Sequence, residues 1–146
     1  MRKRLLSMLL ILSLLCLSVS MVSAEHIKYT LHTDILAYIN GAPIRSFNID
    51  GFTGIEAEDL LQYGFGVYYD DVARTLEIIR LNDQITSNYV PEVLSAPVGS
   101  KNKMIHNTDI KTYVEGVLVP SFNIGGEKII FIDALMCYGE VVWYPV

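Results

Sequence analysis

Cysteine is almost absent from this 146-residue chain: there are two, Cys16 and Cys137. Cys16 lies in a leader expected to be removed, so no intramolecular disulfide is available and the core alone must hold the fold. That pattern suits export from a cell that does not rely on oxidative folding. Histidine is equally scarce. His26, His32 and His106 show no His-x-x-His or acid–histidine spacing, so no metal site is expected. Glu25-His26 would become the amino terminus after leader removal, and its amine, backbone nitrogen and imidazole could hold Cu(II) weakly. Imidazole–copper affinity is generic, so this is not read as a site. There is no Gly-x-Ser-x-Gly and no Gly-rich phosphate loop, which removes the common hydrolase and nucleotide-binding classes. Positive charge is also short. Beyond residue 24 stand eight basic and sixteen acidic residues, a formal charge of −8. Such a chain repels phosphate backbones, and nucleic acid is not an expected partner.

A long hydrophobic run is missing too. Met1-Arg2-Lys3-Arg4 precedes an apolar stretch from Leu5 to Val19, then the short side chains of Val22-Ser23-Ala24. About 15 apolar residues fall short of the roughly 20 needed to span a bilayer. The order basic, apolar, small is that of a secretory signal peptide, with cleavage expected after Ala24. Leu15 before Cys16 is too bulky for a lipoprotein signal. The positive mean hydropathy of +0.35 is inflated by this leader. The protein is expected to be secreted or at the cell surface, with no membrane association after cleavage.

What the chain has is an internal repeat. Thr33-Asp34-Ile35 superposes on Thr108-Asp109-Ile110 at an offset of 75, and the register then holds without a gap. Tyr38 meets Tyr113, Gly41 meets Gly116, and Ser46-Phe47-Asn48-Ile49 meets Ser121-Phe122-Asn123-Ile124. Leu60 meets Leu135, Tyr63-Gly64 meets Tyr138-Gly139, and Tyr68-Tyr69 meets Trp143-Tyr144. Sixteen of thirty-nine aligned positions are identical, against about two or three by chance for ordinary composition. A duplicated unit is the consequence.

Each copy reads as strands around one helix. Ile35 to Ile39 alternates with period two, and Asn40-Gly41 is a type I′ hairpin signal. The return strand runs from Ile44 to Ile49, Asp50-Gly51 turns the chain, and another strand covers Thr53 to Glu56. Ala57, Leu60, Leu61 and Gly64 then take helical spacing, ending at Gly64; Ile132, Leu135, Met136 and Gly139 repeat it. Val67 to Tyr69 and Arg74 to Ile79 read as a final hairpin. Residues 81–103 read as a connector, with a short strand near Asn88 to Val93. The second copy reaches Val146 opposite Asp71 with nothing matching Arg74 to Ile78, so it is expected to lack the last strand and leave an open edge.

The carrying motifs are Ile39-Asn40-Gly41, Ala57-Glu58-Asp59-Leu60, Tyr63-Gly64-Phe65, Val67-Tyr68-Tyr69-Asp70 and Arg74-Thr75-Leu76. The second copy has Gly116, Asp133, Leu135, Tyr138-Gly139 and Val142-Trp143. Together they resemble a bacterial stalk-type repeat, similar to the copper amine oxidase N-terminal-like domain. The resemblance implies an accessory module of exported or wall-associated proteins and no copper chemistry in the module.

The catalytic candidates have plainer readings. Glu56, Glu58 and Asp59 crowd a helix start, where the dipole favours anions, and Phe131, Asp133 and Ala134 replace them in the second copy. Asp70 and Asp71 read as a turn. Cys137 has no histidine near it in sequence. The aromatics Tyr68, Tyr69, Trp143 and Tyr144 are the candidate binding surface, one of each pair facing outward to stack on a sugar ring or a protein. The expected architecture is therefore α+β. It comprises two tandem small repeats, each an antiparallel sheet of about four or five strands packed on one short helix. The expected segments are signal peptide 1–24, repeat one 25–80, connector 81–103 and repeat two 104–146. The expected function is a noncatalytic, cofactor-free structural or binding module at the cell envelope or outside the cell, with a wall polymer or an exported protein as partner. A small exported enzyme or inhibitor, or a remnant of a longer surface protein, is the alternative.

Overall fold

A computed structural model describes residues 29–140 and 142. The leader, Glu25-His26, Trp143 and Tyr144 lie outside the described residues. Among these residues twelve strands dominate: β1 (Tyr29–Leu31), β2 (Ala37–Ile39), β3 (Ala42–Ile44), β4 (Ser46–Ile49), β5 (Phe52–Glu56) and β6 (Phe65–Asp70) come first. Then follow β7 (Thr75–Arg80), β8 (Lys101–Met104), β9 (Lys111–Val114), β10 (Val117–Val119), β11 (Ser121–Ile124) and β12 (Glu127–Phe131). The only helical segments among the described residues are two 3-10 turns, Glu58–Tyr63 and Ile132–Leu135.

The α+β expectation is thus corrected: among the described residues strand makes up 45% and helix 9%, and that helix is 3-10 throughout. The reason lies in spacing. The buried residues are Ala57, Leu60 and Tyr63, three apart, whereas Leu61 is 57% exposed. A 3-10 turn has three residues per turn, so residues three apart eclipse on one side. Ile132, Leu135 and Tyr138 repeat that pattern against the core, with Met136 exposed. Leu61 and Met136, which suggested an α-helical face, point to solvent.

The expectation of one sheet per copy is corrected as well. A six-stranded sheet has the order β11-β12-β5-β4-β1-β8, a four-stranded sheet β10-β9-β7-β6, and β2-β3 forms a hairpin of its own. Each of the first two combines strands from both halves of the sequence, grouped by half and joined at β12-β5, β1-β8 and β9-β7. The expected strand Ile44–Ile49 breaks at Arg45, where the chain passes from the β2-β3 hairpin into the six-stranded sheet. The chain makes the same passage at Pro120, between β10 and β11. Asn88 to Val93 carries no strand, and β8 straddles the expected end of the connector.

The joins obey a local two-fold. Across β5 and β12, Ile55 faces Ile130, its own counterpart at the offset of 75. Across β1 and β8, Tyr29 faces Met104, again its counterpart. Leu31 pairs with Asn48, and the matching His106 pairs with Asn123. This last bridge, with the His106 amide donating to the Asn123 carbonyl at 2.9 Å, curls the six-stranded sheet back on itself. Phe47, Ile49, Ile124 and Ile129 form one core cluster, with Ile105, Phe122 and Phe131 against it. The larger cluster joins Ala37 and Ile44, Ile55 and Ile130, Leu60, Tyr63 and Leu135, and Phe65, Leu76, Ile78 and Val114. All three sheets and both 3-10 turns meet there.

Candidate binding surface

Alternation on the four-stranded sheet decides what faces out. Leu76, Ile78, Thr112 and Val114 are buried, so Glu77 and Tyr113 between them project from the other side. Tyr68 pairs with Glu77, Glu77 with Tyr113, and Tyr113 with Leu118. The outer face therefore carries one straight row across all four strands: Tyr68, Glu77, Tyr113, Leu118. Tyr68 is 53% exposed and Leu118 58%. The Tyr68 ring packs against Gly66, whose missing side chain leaves the space: a Cβ there would sit 2.6 Å from the ring. One Glu77 carboxylate oxygen accepts a 2.8 Å hydrogen bond from the Gly116 amide, which anchors the carboxylate toward the β9-β10 turn.

Tyr69 behaves otherwise. It lies on the inner face, opposite Leu76, but at the sheet's end, where it remains half exposed. Its hydroxyl donates to Asp71 at 3.2 Å and accepts from Arg74. Arg74 also donates to both Asp109 oxygens, at 2.8 and 3.1 Å. The guanidinium holds the Asp109 carboxyl below its ordinary range. Of the four aromatics expected at a surface, Tyr68 stands in the row and Tyr69 in this ion cluster. Trp143 and Tyr144 fall outside the described residues. Tyr113 and Leu118 were not singled out from sequence, although the buried Thr112 and Val114 around Tyr113 are what a period-two reading of Lys111 to Val114 would have used.

Two of the carboxylates expected at a helix start, Glu56 and Glu58, make contacts to neighbouring strands and their flanks. Glu58 accepts from the Lys128 amide at 3.3 Å. Glu56 is buried on β5 beside Arg45 at 3.4 Å. Burial, reinforced by Asp59 and Glu127, raises its carboxyl to about 7. Next to it Arg45, Asp59, Gln62, Tyr63, Ser87, Asn88 and Tyr89 line a cleft of about 150 Å³. Ligand pockets usually measure roughly 300–1,000 Å³, so this one suits water or a small polar group. Cys137 is exposed, and His32 and His106 lie on separate strand ends. No group of three metal-ligating side chains occurs among the described residues, nor any helix long and apolar enough to cross a membrane.

No family model, curated protein or solved structure matches this chain.

Proposed function

We propose that the chain is a noncatalytic, exported binding or structural module of the cell envelope, in the manner of a stalk-type repeat. The row Tyr68–Glu77–Tyr113 carries the reading. Two tyrosines in one row with a glutamate, on the outward face of the sheet, offer stacking surfaces and a hydrogen-bond acceptor, the groups that recognise a sugar ring. Wall polymer is the partner this chemistry fits best, and an exported protein the other source of such contacts. The basic, apolar, small order of residues 1–24 supports the location. The test is retention of the chain on peptidoglycan and on isolated wall polymers. Tyr68→Ala with Tyr113→Ala should weaken retention about tenfold, the stacking of two rings, with an unchanged far-ultraviolet spectrum. Equal retention by the double variant, or none by the wild type, would overturn the proposal.

A further inference from the structure

The outer edge of β2 has a counterpart elsewhere in the molecule, and that counterpart is filled. By the offset of 75, β2 corresponds to β9 and the β2-β3 hairpin to β9-β10. The two are built alike. The Thr33 hydroxyl accepts from the Ile35 amide at 3.1 Å, and the Thr108 hydroxyl from the Ile110 amide at 3.2 Å. Asn40-Gly41 has φ of +50° and +82°, and Glu115-Gly116 has +48° and +75°. Along β9 runs β7, parallel, with Thr75 opposite Lys111, Leu76 opposite Thr112, Glu77 opposite Tyr113 and Ile78 opposite Val114. The Lys111 amide donates to the Arg74 carbonyl and the Glu115 amide to the Ile78 carbonyl, both at 3.0 Å. Two side-chain contacts frame the strand: Arg74 on Asp109, and Glu77 on the Gly116 amide.

Every acceptor of that strand has an equivalent on β2. Asp34 stands for Asp109, Leu36 to Ile39 for Lys111 to Val114, and Gly41 for Gly116. Among the described residues nothing pairs with this edge. Tyr38 lies opposite Pro43, which has no amide to offer, so the ladder groups of Tyr38 face away from β3. Asp34, Leu36 and Tyr38 are exposed, and Tyr38 is 55% so. The described residues contain one strand of the β7 kind, and β9 takes it.

We propose that the β2 edge is a docking site for an extended segment of another polypeptide with the pattern Arg-x-apolar-Glu-apolar, added as a parallel strand. Its arginine pairs with Asp34, its two apolar residues turn toward Ala37 and Ile39, and its glutamate reaches the Gly41 amide. This edge is separate from the tyrosine row, and the proposal stands whether or not that row binds sugar.

The probe is a capped peptide of the chain's own Arg74–Arg80 sequence, added to the isotope-labelled full chain and followed by amide hydrogen exchange. The peptide should slow exchange at Leu36, Tyr38 and Asn40. Asp34→Asn should weaken binding at least fivefold while Asp109 and its ion pair stay in place. A peptide N-methylated at the positions of Leu76 and Ile78 cannot donate to the ladder and should not bind. Slowing confined to Lys111, Tyr113 and Glu115 would mean exchange at β9 and overturn the proposal. So would no binding at all, or full protection of Leu36, Tyr38 and Asn40 before peptide is added.

Discussion

Gly64 and Gly139 occupy equivalent places in the repeat but carry different loads. Gly64 has φ of +85°, and a Cβ there would fall 2.2 Å from the Asn82 carbonyl oxygen. Gly139 is exposed, outside the left-handed region, with open space around it. Gly64→Ala should cost about 3 kcal/mol by denaturant titration, combining backbone strain with overpacking. Gly139→Ala should stay within about 0.5 kcal/mol. Glu56 gives a second prediction at this scale. Burial raises its carboxyl to about 7, so its stabilising contribution is complete below its ordinary value of 4.5 and is lost as pH climbs through 7. The chain should therefore be less stable at pH 8 than at pH 5, by about 1 kcal/mol once solvent and Arg45 screen the charge. Glu56→Gln should remove most of that dependence, measured as melting temperature across pH.

At the scale of elements, the join between β5 and β12 holds the two halves of the six-stranded sheet. Ile55 and Ile130 face each other across it, both with no exposed surface. Each change to alanine should cost about 2–4 kcal/mol. Because the side chains share one packing site, the double variant should depart from additivity by about 1 kcal/mol in a denaturant-based cycle. Simple additivity would mean that the two isoleucines pack independently. Individual strands were largely legible: the strand expected over Thr53 to Glu56 is β5, and Asn40-Gly41 and Asp50-Gly51 turn with positive φ. The α-helical spacing differs from the observed one because a run of six residues samples at most two turns. Over that length apolar spacing of three and of 3.6 share most positions, and only the exposure of Leu61 and Met136 separates them.

At the scale of the molecule, the larger core cluster draws on both sequence copies and on every sheet. Neither copy buries its apolar face alone. Residues 25–80 and residues 104–146, prepared separately, should show no cooperative thermal transition by circular dichroism. The full chain should melt in one step, with the most protected amides of β5, β7, β9 and β12 exchanging together. A cooperative transition in either piece would contradict a shared core.

The amino-acid sequence alone determined the offset of 75, the period-two strands, the hairpin turns and the acidic balance. These follow from local backbone preference and side-chain order, which neighbours in sequence express. Tertiary structure decided which strands pair. Parallel β7-β9, the facing counterparts Ile55 and Ile130, and the outward row from Tyr68 to Tyr113 all join residues remote in sequence. Each small copy has too little apolar surface to close a core of its own. The gain from burying it against the other copy, which no local pattern records, selects the arrangement in which the two copies share their sheets.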